Sequence, residues 1–359
     1  MMNEPPSLIT SLPEDVVLDI LARVPRYNYP TLSLVCKHFQ SLVASPEIYA
    51  RRSLLMCTES YLYVLLFSTR TLNDRWHVLS QKASGNRSFA LISSLLDMPC
   101  CESFVAVGSR IYMFGANGID EMTSSSAFMI DCIYHTVQPL PNMPIPMRGT
   151  AAAYFDDKIY VVGHCSMKST VMVVFNTKTQ MWEPGSIKPD TSLETWNFGF
   201  MVVMADKVYM KSNYVNSFIY VPKESKWETV DEMMNSKQWT NNPCVVDGIL
   251  YYYDGYVQNC LRVYDSKQKC WGVVNGLEEL MAEIQRPHRS NTVRFGRNLA
   301  LYFCKREEQQ GNRTTSNIWC AEISLERRQG GEIWGKVEWC DQVIVAEDWE
   351  FTLSVSVMV

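Results

Sequence analysis

Positive charge and long apolar runs are both scarce in this sequence. Lysine and arginine number 33 against 38 aspartates and glutamates, a formal net charge of −5, so no broad positive field is available to a nucleic acid backbone. A secretory leader would need a lysine or arginine near the N-terminus, but none precedes Arg23. Apolar runs such as residues 61–67 are far too short to span a membrane. We therefore expect an intracellular protein, cytoplasmic, nuclear or both, that binds neither nucleic acid nor membrane.

Motifs for catalysis and metal binding are also missing. The sequence has no Gly-x-Ser-x-Gly elbow, no HExxH and no phosphate-binding GxxxxGKS or GxxxxGKT loop, and its twelve cysteines form no CxxC pair. Cys132 with His135 and His164 with Cys165 come closest to a ligand cluster, but neither has a second pair at zinc spacing. The other histidines are His38, His77 and His288. We expect reduced cysteines with packing roles, no metal, no cofactor and no catalytic activity.

The first 55 residues instead have the periodicity of short helices. In SLPEDVVLDILARVP, residues 11–25, Ser11 and Glu14 have the spacing of a capping box, Pro13 suits an early helical position, and Pro25 ends the run. The apolar residues that share one face of this helix are Val16, Val17, Ile20, Leu21 and Val24.

Two further helices are predicted after the first. The second covers residues 31–45, and the third starts from a cap at Ser45 and runs toward Leu55. Three helices this short have little core of their own, so part of their apolar surface is expected to be left for a partner.

After residue 57 short runs of Val, Ile, Tyr and Phe are separated by turn residues, a pattern typical of antiparallel strands. Four runs align on a tyrosine at intervals of 48, 49 and 42 residues by subtraction, namely Tyr112, Tyr160, Tyr209 and Tyr251. An aromatic residue seven positions before a tryptophan follows in three units, as Phe175 with Trp182, Tyr220 with Trp227, and Tyr264 with Trp271, while Ile130 and Val137 hold the same spacing one unit earlier. This period is that of a kelch-type β-propeller blade.

The predicted fold is mainly β, a kelch-type β-propeller of about six blades preceded by a small α-helical domain. Five or seven blades, or a pair of irregular β-sandwiches, are the alternatives. Strands from SYLYVLLFS near the start and QVIVAEDWEFTLSVSV at the end are expected to share one blade, which would leave no open sheet edge. We place a disordered N-terminus at residues 1–7, the helical domain at 8–56 and the propeller at 57–359.

Together these segments resemble plant-type F-box proteins with C-terminal kelch repeats. The F-box resemblance rests on residues 11–25 followed by LSLVCKHFQSLVASPEIYARRS. The kelch resemblance rests on RIYMFG, on MIDCIYHTVQPLPNMPIPMRGTAAAYFDDKIYVVGHC and on VFNTKTQMWEPG. The Gly-Gly pair that kelch units usually carry is replaced here by Gly115-Ala116, Gly163-His164, Lys211-Ser212 and Asp254-Gly255.

The resemblance implies a substrate-recognition subunit of a Skp-cullin-F-box E3 ubiquitin ligase, whose F-box domain docks on a Skp-type adaptor and whose propeller binds a target protein. Carried over position by position, the adaptor-binding residues are Leu12, Pro13, Val16, Val17, Leu18, Ile20, Leu21, Val24, Pro25, Leu34, Val35, Cys36 and Phe39. Candidate target contacts in the propeller loops are Asn117, Ser166, Ser169, Asn213 and Tyr256. Two alternatives stay open: a kelch scaffold or small-molecule sensor whose helices pack only internally, and a degenerate enzyme of the copper-radical kind found on some kelch propellers.

Overall fold

The computed structural model of the chain divides into two compact units. It describes residues 12–81, 85–96, 98–99, 101–116, 123–166, 169–187, 198–212, 217–239, 242–255, 257–284, 290–307, 315–346 and 349–359. The first unit comprises Met1–Ser60 together with Met358–Val359, and the second comprises Tyr61–Val357. We refer to them as the helical unit and the propeller unit.

The helical unit contains four short α-helices around a small core. They are α1 (Glu14–Arg23), α2 (Tyr29–Ser33), α3 (Lys37–Ala44) and α4 (Pro46–Leu54), with a 3-10 turn at Arg26–Asn28 before α2. The buried apolar residues are Val17, Leu21, Ala22, Tyr29, Phe39, Leu42, Val43 and Ile48. Ser45 is the N-cap residue of α4, as predicted.

Helix α1 starts two residues later than the capping-box prediction requires. Pro13 is its N-cap residue, with an extended ψ of 145°, and the Pro13 carbonyl accepts the Val16 and Val17 N–H groups at 3.0 and 3.1 Å. The predicted helical position of Pro13 is therefore wrong, because an extended residue cannot lie inside the helix. Glu14 is the first helical residue and not the third. Ser11, the predicted cap, lies outside the described residues.

The second predicted helix is divided into α2 and α3 at residues 34–36. Cys36 has an extended backbone, with φ −162° and ψ 163°, and its Sγ accepts the Phe39 N–H at 3.4 Å. A continuous helix over 31–45 was wrong because Cys36 acts as an N-cap residue, with a side-chain acceptor for a free helical N–H. The turn at 34–36 leaves its apolar side chains outside the helical core.

The propeller unit consists of six four-stranded antiparallel blades. Blade 1 contains β1 (Ser60–Ser68), β2 (Asn73–Gln81) and β3 (Arg87–Leu91); blade 2, β4 (Cys101–Val107), β5 (Arg110–Ala116), β6 (Ala127–Asp131) and β7 (Thr136–Pro139); blade 3, β8 (Arg148–Phe155), β9 (Lys158–Ser166), β10 (Ser169–Asn176) and β11 (Met181–Ile187); blade 4, β12 (Phe198–Met204), β13 (Lys207–Ser212), β14 (Phe218–Val221) and β15 (Lys226–Thr229). Blade 5 contains β16 (Cys244–Val246), β17 (Ile249–Asp254), β18 (Cys260–Asp265) and β19 (Cys270–Asn275); blade 6, β20 (Asn291–Phe295), β21 (Asn298–Glu307), β22 (Thr315–Arg327) and β23 (Ile333–Ala346). Two short helices lie between blades, α5 (Glu232–Asn235) and α6 (Glu278–Glu283).

The last strand, β24 (Trp349–Met358), completes blade 1, whose sheet has the order β24-β1-β2-β3. Apolar clusters join blade 2 to blade 3, 3 to 4, 4 to 5, 5 to 6 and 6 to 1. The last of them packs Leu62 and Val64 of blade 1 against Ala300 and Tyr302 of blade 6. Blades 5 and 6 are further joined into one eight-stranded sheet by parallel pairing of β19 with β23. The fold class predicted from the repeats, a six-bladed kelch-type propeller after a helical segment, is confirmed.

The seven-residue spacing marks the third and fourth strands of a blade. Its paired residues lie directly opposite each other in register: Ile130 with Val137, Phe175 with Trp182, Tyr220 with Trp227, and Tyr264 with Trp271. The ring centroids of the three aromatic pairs are 5.0, 5.1 and 4.9 Å apart, respectively. Tyr160 of blade 3 also packs on Tyr220 of blade 4 at 5.8 Å, so bulky rings fill the space within and between blades.

The two ends of the ring differ in their connections. Since neighbouring strands are antiparallel, the turns between first and second strands and between third and fourth strands lie at one end, which we call the short-turn end. The other connections lie at the opposite, long-loop end. The first-to-second turns have two residues, as at Asp156 and Asp157, whose φ angles of 50° and 59° fit a type I′ hairpin.

Buried polar side chains are concentrated near the long-loop end. Only His77 and Asp265 of those described in the propeller unit lie elsewhere. The others are Ser68, Ser103, Ser124, Thr150, His164, Lys211, Ser217, Asp254, Arg262, Ser290, Asn291, Thr292 and Asn317. Buried polar groups cost free energy unless they are hydrogen-bonded, and several of these are, such as Ser103 with Thr150 at 2.9 Å and Arg262 with Asp254 at 2.6 Å.

Candidate functional site

The outer face of α1 carries apolar side chains that the helical core does not cover. Val16 and Ile20 are 39% and 48% exposed, and Leu12, four residues before Val16, is 39% exposed. Residues four apart lie on one side of a helix, so Val16 and Ile20 share a face of α1. Together with the exposed Leu12, which precedes the helix, we call them the outer stripe of α1. Val17 and Leu21 point the other way and are at most 4% exposed.

The turn between α2 and α3 is the second exposed apolar feature. Leu34 is 85% exposed and Val35 is 64% exposed, and Cys36 is exposed as well. The extended Cys36 backbone turns these side chains away from the core that Phe39 enters. Isolated exposed apolar residues are common, but three in succession at the top of a helix are not explained by packing within the unit.

The predicted adaptor-binding residues therefore divide into three groups. Exposed are the outer stripe, Pro13 and residues 34–36; buried in the helical core are Val17, Leu21 and Phe39; partly buried are Leu18, Val24 and Pro25. The buried members pack in the helical core and so hold in place the backbone that carries the exposed ones. All thirteen stay a prediction as adaptor contacts.

One buried arginine holds the end of α1 in place. Arg52 on α4 is 1% exposed, and its Nη1 donates to the carbonyls of Ala22 at 2.9 Å and Val24 at 2.8 Å. The same Nη1 lies 3.2 Å from the Tyr29 hydroxyl, and Nη2 lies 3.0 Å from Glu59. Burial raises the pKa of Tyr29 although Arg52 opposes the rise. Periodicity could not reveal this residue, since the sequence presents Arg51 and Arg52 as a surface cluster.

The predicted target contacts belong to connections at the long-loop end. Ser166 ends β9 and Ser169 begins β10, and the two are partners in register. Asn117, Asn213 and Tyr256 lie outside the described residues, in the corresponding second-to-third connections of blades 2, 4 and 5.

Of the histidine and cysteine pairs noted in the sequence, Cys132 with His135 contacts a tyrosine of the neighbouring blade. The Tyr63 hydroxyl donates to the Cys132 carbonyl at 3.1 Å and lies 2.8 Å from His135 Nε2, and these contacts join blades 1 and 2.

Two other cysteines are held in the thiol form. Burial raises the pKa of Cys340 to about 11 and that of Cys244 to about 12, which disfavours the thiolate. Among the described residues, no three His, Cys, Asp or Glu side chains are grouped so that they could hold a metal ion. The helices described are all too short or too polar to cross a bilayer.

These features define a two-part binding protein, a small helical unit with exposed apolar side chains joined to a kelch-type propeller. Comparison with known proteins gives the family. The F-box domain model matches residues 9–51, and the FKB95, Kelch-repeats domain model matches residues 66–344. The chain belongs to the F-box/kelch-repeat proteins, which confirms the resemblance.

Two relatives from Arabidopsis thaliana align over nearly the whole chain. One F-box/kelch-repeat protein is 43% identical over 361 residues, covering 95% of this chain and 92% of its own length. Another is 38% identical over 348 residues, covering 95% and 88%. The solved structure of YjhT aligns with 73% of this chain and 91% of its own, at 12% identity and a TM-score of 0.47. An F-box followed by kelch repeats is the general organisation of a substrate adaptor.

Proposed function

We propose that the chain is the substrate-recognition subunit of a Skp-cullin-F-box E3 ubiquitin ligase. The helical domain at residues 8–56 binds a Skp-type adaptor, and the propeller at 57–359 binds the target protein. The chain itself catalyses nothing and acts by bringing the target close to a charged ubiquitin-conjugating enzyme, in the cytosol or the nucleus. The observation that carries the proposal is the exposure of the outer stripe and of residues 34–36 in a unit that has its own core.

The exposed side chains supply a large part of the free energy that a complex would need. Fully burying one such side chain contributes roughly 1.5–3 kcal/mol, and five are available in Leu12, Val16, Ile20, Leu34 and Val35. About half of that surface is already covered, and association itself costs several kcal/mol, so a surplus remains only if most of the five are buried together. A scaffold or sensor whose helices pack only internally would have no reason to leave Val16 and Ile20 exposed.

Replacing both Leu34 and Val35 by glutamate should abolish adaptor binding without unfolding the chain. Each glutamate would bury a charge at the interface, and loss of the two apolar contacts alone predicts a Kd about 100-fold weaker. Both side chains are already mostly in solvent, so the urea midpoint should not change. Calorimetric titration of the full chain with a Skp-type adaptor measures the first effect, and urea denaturation measures the second.

The matched control is Leu72→Glu. Leu72 is 75% exposed and lies in the propeller unit, so it tests the effect of a new surface charge alone and should leave the Kd unchanged. The double variant Leu12→Ala with Pro13→Ala should weaken adaptor binding in the same way as the glutamate pair. Normal adaptor affinity in both double variants would refute the proposal.

Target recognition is proposed for the loops at the long-loop end, including Ser166 and Ser169 and the positions of Asn117, Asn213 and Tyr256. The support is the concentration of buried polar groups beneath these loops. Proximity labelling in cells with the proteasome blocked should recover the same targets with wild type and with Leu34→Glu/Val35→Glu. Only the wild type should increase target ubiquitination.

A further inference from the structure

The segment that carries the exposed turn of the helical unit has no acidic residue. Between Asp19 and Glu47 the sequence contains neither aspartate nor glutamate, although acidic residues outnumber lysine and arginine in the whole chain by 38 to 33. The lysine and arginine residues of the same segment are Arg23, Arg26 and Lys37. The exposed side chains of Leu34 and Val35 therefore belong to a locally positive segment of a net negative chain.

The positive charge of Lys37 is not used within the helical unit. Lys37 is exposed, and none of the described residues forms a salt bridge or a hydrogen bond with its ammonium group. The residues three and four positions later, Gln40 and Ser41, are uncharged, so no ion pair along α3 compensates the charge. The arginines of the unit all have partners: Arg23 donates to the Asp19 carbonyl, Arg26 stacks on Tyr49, Arg51 pairs with Asp19, and Arg52 pairs with Glu59.

The position of Lys37 is also unfavourable for its own helix. Lys37 is the first residue of α3 and His38 is the second, and the first turn contains no acidic residue. Because the N-terminal end of a helix carries a partial positive charge, a cation there is destabilising. Helices α1, α4, α5 and α6 instead have glutamate in their first turns. The stability of α3 does not account for a lysine at this position.

The charge of Lys37 lies next to the most exposed apolar side chains of the candidate site. Leu34 and Val35 are 85% and 64% exposed, and only Cys36 separates them from Lys37. Solubility alone would be served as well by an acidic residue, which would also stabilise α3. A cation at this position is accounted for if the surface that covers residues 34–36 presents a negative charge, because interfaces pair opposite charges at their edges.

We propose that Lys37 binds a carboxylate of the Skp-type adaptor at the edge of the apolar contact made by residues 34–36. The inference rests on the proposed function, in which the helical unit binds that adaptor. It adds the charge that the adaptor presents beside α3. Charges at the edge of an interface steer association and discriminate between partners, so Lys37 is a specificity-determining residue, whereas Leu34 and Val35 supply the apolar contact.

Reversing the charge of Lys37 tests this contact in the full chain. Lys37→Glu should weaken binding of a Skp-type adaptor at least about tenfold in about 50 mM NaCl, because two carboxylates would then face each other. The loss should shrink to less than about threefold in about 500 mM NaCl, since salt screens charges at an exposed edge. Calorimetric titration at both salt concentrations measures the two ratios. An unchanged Kd, or a loss that is equal at both concentrations, would overturn the proposal.

The same substitution should not unfold the helical unit. Glutamate in the first turn of α3 is favourable, so the urea midpoint of the helical amides, followed by hydrogen exchange, should be the same or higher. A weaker complex therefore cannot be attributed to a loss of structure. Lys37→Arg keeps the charge and should bind within about twofold of wild type. A loss for Lys37→Arg as large as that for Lys37→Glu would contradict the role of the charge.

The matched control is Lys267→Glu. Lys267 is an exposed lysine of the propeller unit, and no salt bridge to its side chain occurs within the described part of the chain. Its reversal changes the net charge by the same amount and should leave the adaptor Kd within about twofold of wild type. Equal losses for Lys37→Glu and Lys267→Glu would mean that net charge, and not a contact at Lys37, is responsible.

The failure of this proposal can be told apart from the failure of the ligase proposal. If Leu34→Glu/Val35→Glu loses the adaptor while Lys37→Glu binds it as wild type does, the carboxylate contact is refuted and the adaptor-binding surface stands. If Leu34→Glu/Val35→Glu retains adaptor affinity, the ligase proposal fails, and the contact at Lys37 fails with it.

Discussion

Replacing Arg52 by leucine is expected to destabilise the helical unit by about 3 kcal/mol, near the lower end of the range for breaking a buried charged pair. The substitution leaves the Ala22 and Val24 carbonyls without their donor at the C-terminal end of α1 and removes one partner of Glu59, which also accepts the Arg26 N–H. Glu59 is 32% exposed, so water can solvate its carboxylate and the full cost of an isolated buried charge does not arise. Hydrogen exchange of the α1–α4 amides in the full chain, measured against urea concentration, would report the change.

The neighbouring arginine provides the control for this prediction. Arg51 pairs with Asp19 at 2.7 Å, but both side chains are about one-third exposed, and such pairs contribute about 0–1 kcal/mol. Arg51→Leu should therefore change the free energy of unfolding little. Arg52→Lys should fall between the two, since an ammonium group keeps the charge but not the fork of N–H donors. If Arg51→Leu and Arg52→Leu were equally destabilising, the assigned role of Arg52 would be incorrect.

The contrast between these two arginines shows where sequence patterns stop being informative. Periods of hydrophobic and aromatic residues predicted the blades, because the same inter-blade space is filled again in every repeat, and register pairs such as Phe175 with Trp182 confirm it. A single buried arginine has no period. Its identity depends on which carbonyls the fold brings within reach, and Arg51 and Arg52 differ in the structure only by the face of α4 they occupy.

The helical unit illustrates the same limit at the level of local structure. The apolar spacing correctly placed helices near residues 14–23 and 46–54, but helical spacing continues through residues 31–45 although the chain turns at Cys36. Cysteine is not among the preferred N-cap residues, so sequence rules for helix starts do not select Cys36. That turn is what exposes Leu34 and Val35, so the most exposed part of the candidate site could be named by resemblance but not explained before the structure.

Lys211 is a buried lysine that the sequence comparison placed one residue away from its true position in the blade. The sequence comparison placed Lys211 at the kelch Gly-Gly position, next to Gly115 and Gly163 in the alignment. Counted from the first-to-second turn, Lys211 is the fifth residue of its strand, as Phe114, Val162 and Tyr253 are in theirs, so the assignment was off by one residue. Those three side chains are fully buried, and Lys211 is 2% exposed. A lysine therefore occupies a position that the other blades fill with an apolar residue.

Lys211→Met is expected to stabilise the propeller unit by about 1–3 kcal/mol at pH 7, the range typical of a buried polar group without compensation. Within the described residues, no acidic side chain lies within 4 Å of the Lys211 ammonium group. Methionine keeps the length of the side chain and removes its charge, so the packing space stays filled. Urea denaturation of the full chain, followed by the fluorescence of the propeller tryptophans, measures the gain.

The pH dependence identifies the cause of this gain. Burial lowers the pKa of Lys211 from its ordinary value of 10.5, so between the two pKa values the unfolded chain binds more protons than the folded chain, and the stability contributed by this site rises with pH. The penalty for Lys211 is complete below the lowered pKa and vanishes as the pH passes 10.5. The advantage of Lys211→Met over wild type should consequently be constant below the lowered pKa and shrink between that pKa and pH 10.5. Lys178→Met, which removes an exposed lysine paired with Asp157, should show no comparable gain at pH 7, and a pH-independent gain for Lys211→Met would mean that packing, and not the buried charge, is responsible.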